Sequence, residues 1–180
     1  MYFFFHMTKD TKQINTKEKI LYNNILLLSR NILFYTKFDL EDTFQNRINL
    51  IFIHISFIFM KIKHNSSNNK CKSFYQNLFD LVFKQIEFNM RELGHGDVSV
   101  NKNMKYLVKT FYNVLLYCED YNVKNRQSKS TFFSKYLISN IKTKTPNNEP
   151  LIKYFNAFHS FCFDLSSDSV LQGELNFNYK

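Results

Sequence analysis

Apolar residues recur every three to four positions along most of this chain, and nowhere do they alternate strictly with polar ones. That spacing lines one face of a helix and offers no half-buried strand. A first helix is predicted over about residues 17–35, after Asn15 or Thr16 as N-cap, with Leu21, Ile25, Leu28 and Ile32 as its stripe. Phe38-Asp39-Leu40-Glu41 reads as a connector. Asp42-x-x-Gln45 resembles a capping box and opens a second helix that ends near Lys63. This helix is apolar nearly all round, which places it in the middle of the molecule. Its densest run, residues 48–62, is shorter than the roughly 20 apolar residues a membrane span needs, and it carries Asn49, His54 and Ser56. A buried central helix is therefore expected.

A polar loop, residues 64–69, follows. Ser73-x-x-Gln76 is a second capping box, and Leu78, Leu81, Val82, Ile86 and Leu93 carry the third helix. Gly94 fits its C′ position, with Arg91 near the negative end of the helix dipole. Ser99 is the expected N-cap of a fourth helix, whose face is Met104, Leu107, Val108, Phe111, Leu115 and Cys118. After a loop over residues 120–127, a short fifth helix follows Ser130, with Phe133, Leu137 and Ile141 inward. Pro146 and Pro150 lie in the next loop, Pro150 suited to a helix N1 position. Leu151, Phe155, Phe158, Cys162 and Leu165 mark a sixth helix, and residues 170–180 read as irregular. The expected fold is all-α, a single-domain bundle of about six helices over residues 17–180, behind a polar, irregular leader of residues 1–16.

The chain's start adds little to this. Met1-Tyr2-Phe3-Phe4-Phe5-His6-Met7 has no basic n-region and no small-residue cleavage site, so it does not read as a signal peptide. Met7 is an alternative start. Composition changes the reading of charge. The chain has 21 Phe, 11 Tyr, no Trp and one alanine, Ala157, a skew typical of AT-rich codons. Such a bias inflates lysine, so the net charge of +9 is a weak argument for a dedicated nucleic-acid surface. Cys71, Cys118 and Cys162 are odd in number and widely spaced, which excludes a disulfide framework and a Cys-based zinc site and indicates a reducing compartment. His6, His54, His64, His95 and His159 show no metal-ligand spacing. His54, in the most apolar helix, needs a hydrogen-bonding partner.

Two features carry candidate chemistry. Lys102, Lys105 and Lys109 share one face of the fourth helix, and residues 101–144 hold nine Lys or Arg against only Glu119 and Asp120. A solvated helix face explains this stripe; the sharper alternative is a footprint for ribosomal RNA or anionic lipid. The second is Arg91-Glu92-Leu93-Gly94-His95-Gly96-Asp97-Val98-Ser99-Val100, which holds two of the chain's three glycines between two helices. It lacks the Lys-Ser/Thr of a phosphate-binding loop and follows a helix, not a strand. A hard backbone turn is the better explanation. An enzyme built on His95 and Asp97 is a remote option, because no catalytic grouping stands out.

Three segments together resemble the ubiquinol–cytochrome c chaperone family, especially its alphaproteobacterial members. Phe34-Tyr35-Thr36, Asp42-Thr43, Arg47, Leu50 and His54 are similar to the family's Y-T…D-T-x-x-x-R…L…H block. Leu78-Phe79-Asp80, then residues 91–100 and Lys102, resemble L-F-D…L-R-E-M-G-x-G-D-L-S-V-P-K, with Leu93 at the methionine and Asn101 at the proline. Leu171-Gln172-Gly173-Glu174-Leu175-Asn176-Phe177 is similar to the closing L-x-G-x-L-x-F.

The resemblance implies a non-enzymatic assembly factor for the cytochrome bc1 complex, with no cofactor and no metal. Its implied client is newly made or partly assembled cytochrome b. The ribosome, an anionic membrane surface and a small helper protein are further candidate partners, and DNA is not among them. It implies a cytoplasmic location peripheral to the inner membrane, or the matrix side in a mitochondrion. Tyr35, Asp42, Thr43, Arg47, Arg91, Glu92, Gly94, Gly96 and Asp97 are the candidate client surface. Arg47 and Arg91 have two readings side by side: paired hydrogen bonds to a client's carboxylates, or internal salt bridges to Asp42, Glu92 or Asp97. His54 is expected to be structural and not a haem ligand.

Overall fold

The structure is a computed structural model that describes residues 17–63, 69–140 and 147–179. Asn15, Thr16, the leader with Met7, residues 64–68, Ile141 and Pro146 lie outside the described residues. Within them the protein is all-α. Its longer helices are α1 (Lys17–Ser29), α3 (Phe44–Lys63), α4 (Asn69–Glu92), α5 (Asp97–Glu119), α6 (Arg126–Tyr136) and α7 (Glu149–Asp164). Single turns form α2 (Leu33–Thr36) and α8 (Ser167–Leu171), and Tyr121–Val123 is a 3-10 turn.

Helix α3 is the axis of the bundle. Every residue from 48 to 60 is buried, as its uninterrupted apolarity requires. It packs against α1, α4, α5, α7 and α8. The filling is aromatic: Phe52 meets Phe83 and Phe111, Phe59 meets Tyr75, and Phe57 meets Tyr121 and Phe158. Each such ring removed from water contributes roughly 1.5–3 kcal/mol. These pairings also set direction. Phe52 faces Phe83 while Phe59 faces Tyr75, so α4 runs antiparallel to α3. Lys63 pairs with Glu119 at the C-terminal ends of α3 and α5, so those two run parallel. The start of α3, the end of α4 and the start of α5 therefore share one end of the bundle.

Several helix ends differ from the sequence expectation, each through one short polar side chain. The predicted helix over residues 17–35 breaks after Ser29, whose hydroxyl donates back to Leu26 O at 3.1 Å; Asn31 Oδ1 then accepts from Leu33 N at 3.0 Å and starts α2. At α3 the cap is Thr43, not Asp42: Thr43 Oγ1 accepts from Asn46 N at 3.2 Å, and Gln45 turns forward to Asn49. Helix α4 starts at Asn69, leaving Ser73 inside it, and Gln76 donates to Asp80 one turn on instead of closing a capping box. Helix α5 is capped by Gly96, with Ser99 already helical. Helix α6 starts at Arg126 rather than after Ser130, because Asn125 Oδ1 accepts from Ser128 N at 2.8 Å. Pro150 is the second residue of α7, after Glu149.

Asn46 has a role no periodicity announces. It is fully buried; its Nδ2 donates to Glu41 O at 2.8 Å and Ile138 O at 2.7 Å, and its Oδ1 accepts from Ile138 N at 2.8 Å. One side chain thus satisfies both backbone groups of Ile138, as a neighbouring strand would. The segment after α6 is thereby stitched to the connector before α3, beside the isolated antiparallel bridge of Leu40 and Ser139.

Candidate functional site

The candidate residues fall into two clusters at that common end, plus one face of α5. In the first, capping by Thr43 frees Asp42 to face outward one turn below Arg47. Arg47 Nε donates to Asp42 Oδ1 at 2.6 Å and a terminal nitrogen donates to Oδ2 at 2.7 Å, a two-point fork. This pairing lowers the Asp42 pKa and raises that of Arg47. Tyr35, from α2, stands beside it. Its hydroxyl is buried without a partner of hydrogen-bond geometry, and burial raises its pKa against the pull of the Arg47 guanidinium. Arg30 belongs to this cluster too: burial first, then the charge of Arg47, lowers its pKa.

The second cluster is the turn between α4 and α5. His95 N donates to Met90 O at 3.2 Å and Gly94 N to Arg91 O at 2.9 Å, with Gly94 at φ +84°, which is a Schellman C-cap. Arg91 bridges the turn, donating to Asp97 and, at 3.0 Å, to Glu87. These bonds raise its pKa, Asp97 contributing most. Glu92 is exposed and is not the partner of either arginine. Every residue from 91 to 99 is exposed, including two large apolar ones, Leu93 and Val98, the latter 86% accessible. The arrangement is a charged loop bridged by Arg91, with two apolar side chains facing water.

Of the two glycines in this turn, only Gly94 has the left-handed backbone that a hard turn implies; Gly96 does not. It sits at φ −70°, ψ 160°, and a Cβ there would meet nothing within 4 Å. Gly94→Val should therefore cost about 1–3 kcal/mol through its left-handed backbone alone. Gly96→Val loses only glycine's preference for the N-cap and should cost less, about 0.5–1 kcal/mol. Melting curves of the two variants check this; equal losses would refute it.

Lys102, Lys105 and Lys109 all stand exposed on the outer face of α5. His54 is elsewhere, in the core: its Nδ1–H donates to Leu50 O at 2.7 Å, and its Nε2 accepts from the Tyr154 hydroxyl at 2.9 Å. Cys71, Cys118 and Cys162 are buried and free. Burial pushes the Cys118 and Cys162 thiols up. Among the described residues, no three His, Cys, Asp or Glu side chains gather as a metal site, and no helix is long and apolar enough to cross a membrane.

Arg30, Asn46, Leu93, Val98 and Tyr154 were not legible as site or support residues from spacing. Arginine had a usable signal: the chain has four against twenty lysines. Arg47 and Arg91 make carboxylate pairs among the described residues, and so does Arg126, with Glu149. Against a lysine-rich background an arginine is the rarer cation, and at Arg47 its planar fork is used on both oxygens of Asp42.

The model of the ubiquinol-cytochrome C chaperone family matches residues 36–177. The chain belongs to that family. The matched span holds Asp42, Thr43, Arg47 and the whole glycine turn, and it begins one residue after Tyr35. Among solved structures, the Cbp3 homolog from Brucella abortus has the same fold: TM-score 0.77 at 22% identity, over 91% of this chain and 89% of that one. No curated protein sequence matches significantly. Within this chaperone family member, then, the two charged clusters sit at one end of a helical bundle, and Arg91 spans the turn that forms the second of them.

Proposed function

We propose that this chaperone holds newly made or partly assembled cytochrome b during assembly of the cytochrome bc1 complex, as a binding protein and not as an enzyme. The family match over residues 36–177 carries the reading. The exposed α4–α5 turn supports it: Leu93 and Val98 offer apolar contact, and the Arg91 bridge keeps the loop in one shape, which lowers the entropy lost on binding. Residues 17–180 act as one chaperone domain, peripheral to the inner membrane on its cytoplasmic or matrix side. Asp42, Thr43, Arg47 and Tyr35 brace or extend the client surface. Lys102, Lys105 and Lys109 are the residues available to a ribosome or an anionic membrane surface. A small helper protein would bind elsewhere on the same bundle.

The test is a reduced-minus-oxidised haem spectrum of membranes from a strain lacking the gene, complemented with wild type or with Leu93→Ser/Val98→Ser. Selective loss of the bc1 haem b signal, restored by wild type and not by a stably folded double variant, is the expected result. A normal bc1 spectrum in the deletion strain would sink the reading. Should salt-dependent RNA binding vanish when all three lysines become glutamine while bc1 is unaffected, a ribosome-binding module would replace it.

A further inference from the structure

At the opposite end of the bundle, the last turns of α3, the first of α4 and the last of α5 leave a half-enclosed cavity of about 470 Å³. Its inner wall is apolar: Phe59, Met60, Ile62 and Cys71 are all buried. Its outer wall is Leu115 and Leu116, the latter 64% exposed. Three charged groups stand at the mouth. Lys63 is paired with Glu119, and Lys72 is exposed beside them, so the rim carries one positive charge in excess.

We propose that this cavity binds the hydrocarbon chain of a single-chain anionic amphiphile, with the acidic head at the lysine rim. Volume and lining support this. Ligand pockets run from about 300 to 1,000 Å³ and combine an apolar wall with a few polar groups that fix orientation. The neutral polar side chains of the lining are Tyr75, whose ring packs on Phe59, and Gln76, whose amide already donates to Asp80; the mainly apolar wall suits an alkyl chain and leaves most of a polar ligand's groups unsatisfied. The rim's surplus charge selects an anionic head over a neutral or cationic one. The site shares no residue with the client surface proposed above and stands independently of it.

Titration of the purified full chain with cis-parinaric acid, read by its fluorescence, tests this. Saturable 1:1 binding is expected. The methyl ester of the probe should bind about tenfold more weakly, and Lys72→Glu, an exposed change that leaves the fold intact, should weaken the acid by a similar factor. Leu115→Trp, which fills the cavity, should abolish binding while the melting curve stays cooperative. Oleate and 1-oleoyl-lysophosphatidylglycerol are then used as competitors. Displacement by oleate alone assigns a free fatty acid, and displacement by the lysolipid assigns a phospholipid source. No saturable binding, equal binding of acid and ester, or full binding by a folded Leu115→Trp variant would overturn the proposal.

Discussion

Gly173→Ala is expected to lower the melting temperature by about 6–12 °C, the largest effect among the glycines, and Gly173→Val by more. Gly173 has φ +82°, and a Cβ there would lie 2.7 Å from the Lys17 carbonyl oxygen and 3.0 Å from Ile20 Cβ. A left-handed L residue costs roughly 1–2 kcal/mol, and overpacking against a backbone atom adds about 1–3 kcal/mol, because a carbonyl cannot swing aside as a side-chain tip can. A total near 3 kcal/mol, at about 2–4 °C per kcal/mol for a chain of this size, gives the stated shift. The contact is not replaceable locally. Gly173 O also accepts from Asn24 Nδ2 at 2.9 Å, so the turn after α8 is seated on α1 from both sides. Circular dichroism melting measures the effect. A shift of less than 2 °C for the alanine variant would show that α1 moves away freely, and that the closing L-x-G-x-L-x-F segment does not clamp it.

Local signals are legible in the chain, and contacts between distant segments are not. Helical periodicity placed the core helix, because burial on all sides leaves a mark at every position, from Ile48 to Met60. Gly94 was legible for a related reason: a C-cap is local and sits where the apolar stripe stops. Gly173 was not, since what forbids a side chain there is Lys17, more than 150 positions away. Gly96 shares the turn with Gly94 but not its conformation, because a glycine at an N-cap needs no special φ. The capping boxes at Asp42 and Ser73 failed for one cause. The side chains that close such a box make equally good bonds forward along a helix, as Gln45 does to Asn49 and Gln76 to Asp80. Which bond forms is decided by packing partners. The charge clusters lie between these extremes. Arg47 and Arg91 each had several carboxylates nearby in sequence, and only the folded arrangement shows Arg47 on Asp42, Arg91 on Asp97 and Glu87, and Glu92 on neither. An ion pair at an exposed loop adds little stability, typically 0–1 kcal/mol, so what Arg91 contributes is shape more than strength.

The second large effect is at His54, and its sign can be worked out. The ring is fully buried among Phe34, Phe155 and Phe158, and burial pushes its pKa down from 6.5 to about 4. Between those two values the unfolded chain binds a proton that the folded chain does not. Stability therefore rises with pH through this window, is fully present above about 6.5, and falls as the pH drops toward 4. At 1.36 kcal/mol per pH unit the loss is about 3 kcal/mol. His54→Leu should flatten that slope between pH 4 and 6.5. It should also cost about 1–3 kcal/mol at pH 7, because the Tyr154 hydroxyl loses its acceptor while still buried. The double variant His54→Leu/Tyr154→Phe removes both partners, so it should recover most of the neutral-pH loss and keep the flattened slope. Urea unfolding at pH 4.5 and 7 measures all three proteins. A slope that survives in His54→Leu would mean that another group titrates there. The double variant also separates structure from chemistry. Both nitrogens of His54 are already engaged, one by Leu50 O and one by Tyr154, inside a closed aromatic shell. A bundle that keeps its fold without that pair should support a normal bc1 haem b spectrum. Loss of haem b in a stable double variant would instead require the imidazole itself to act on the client, which its burial argues against.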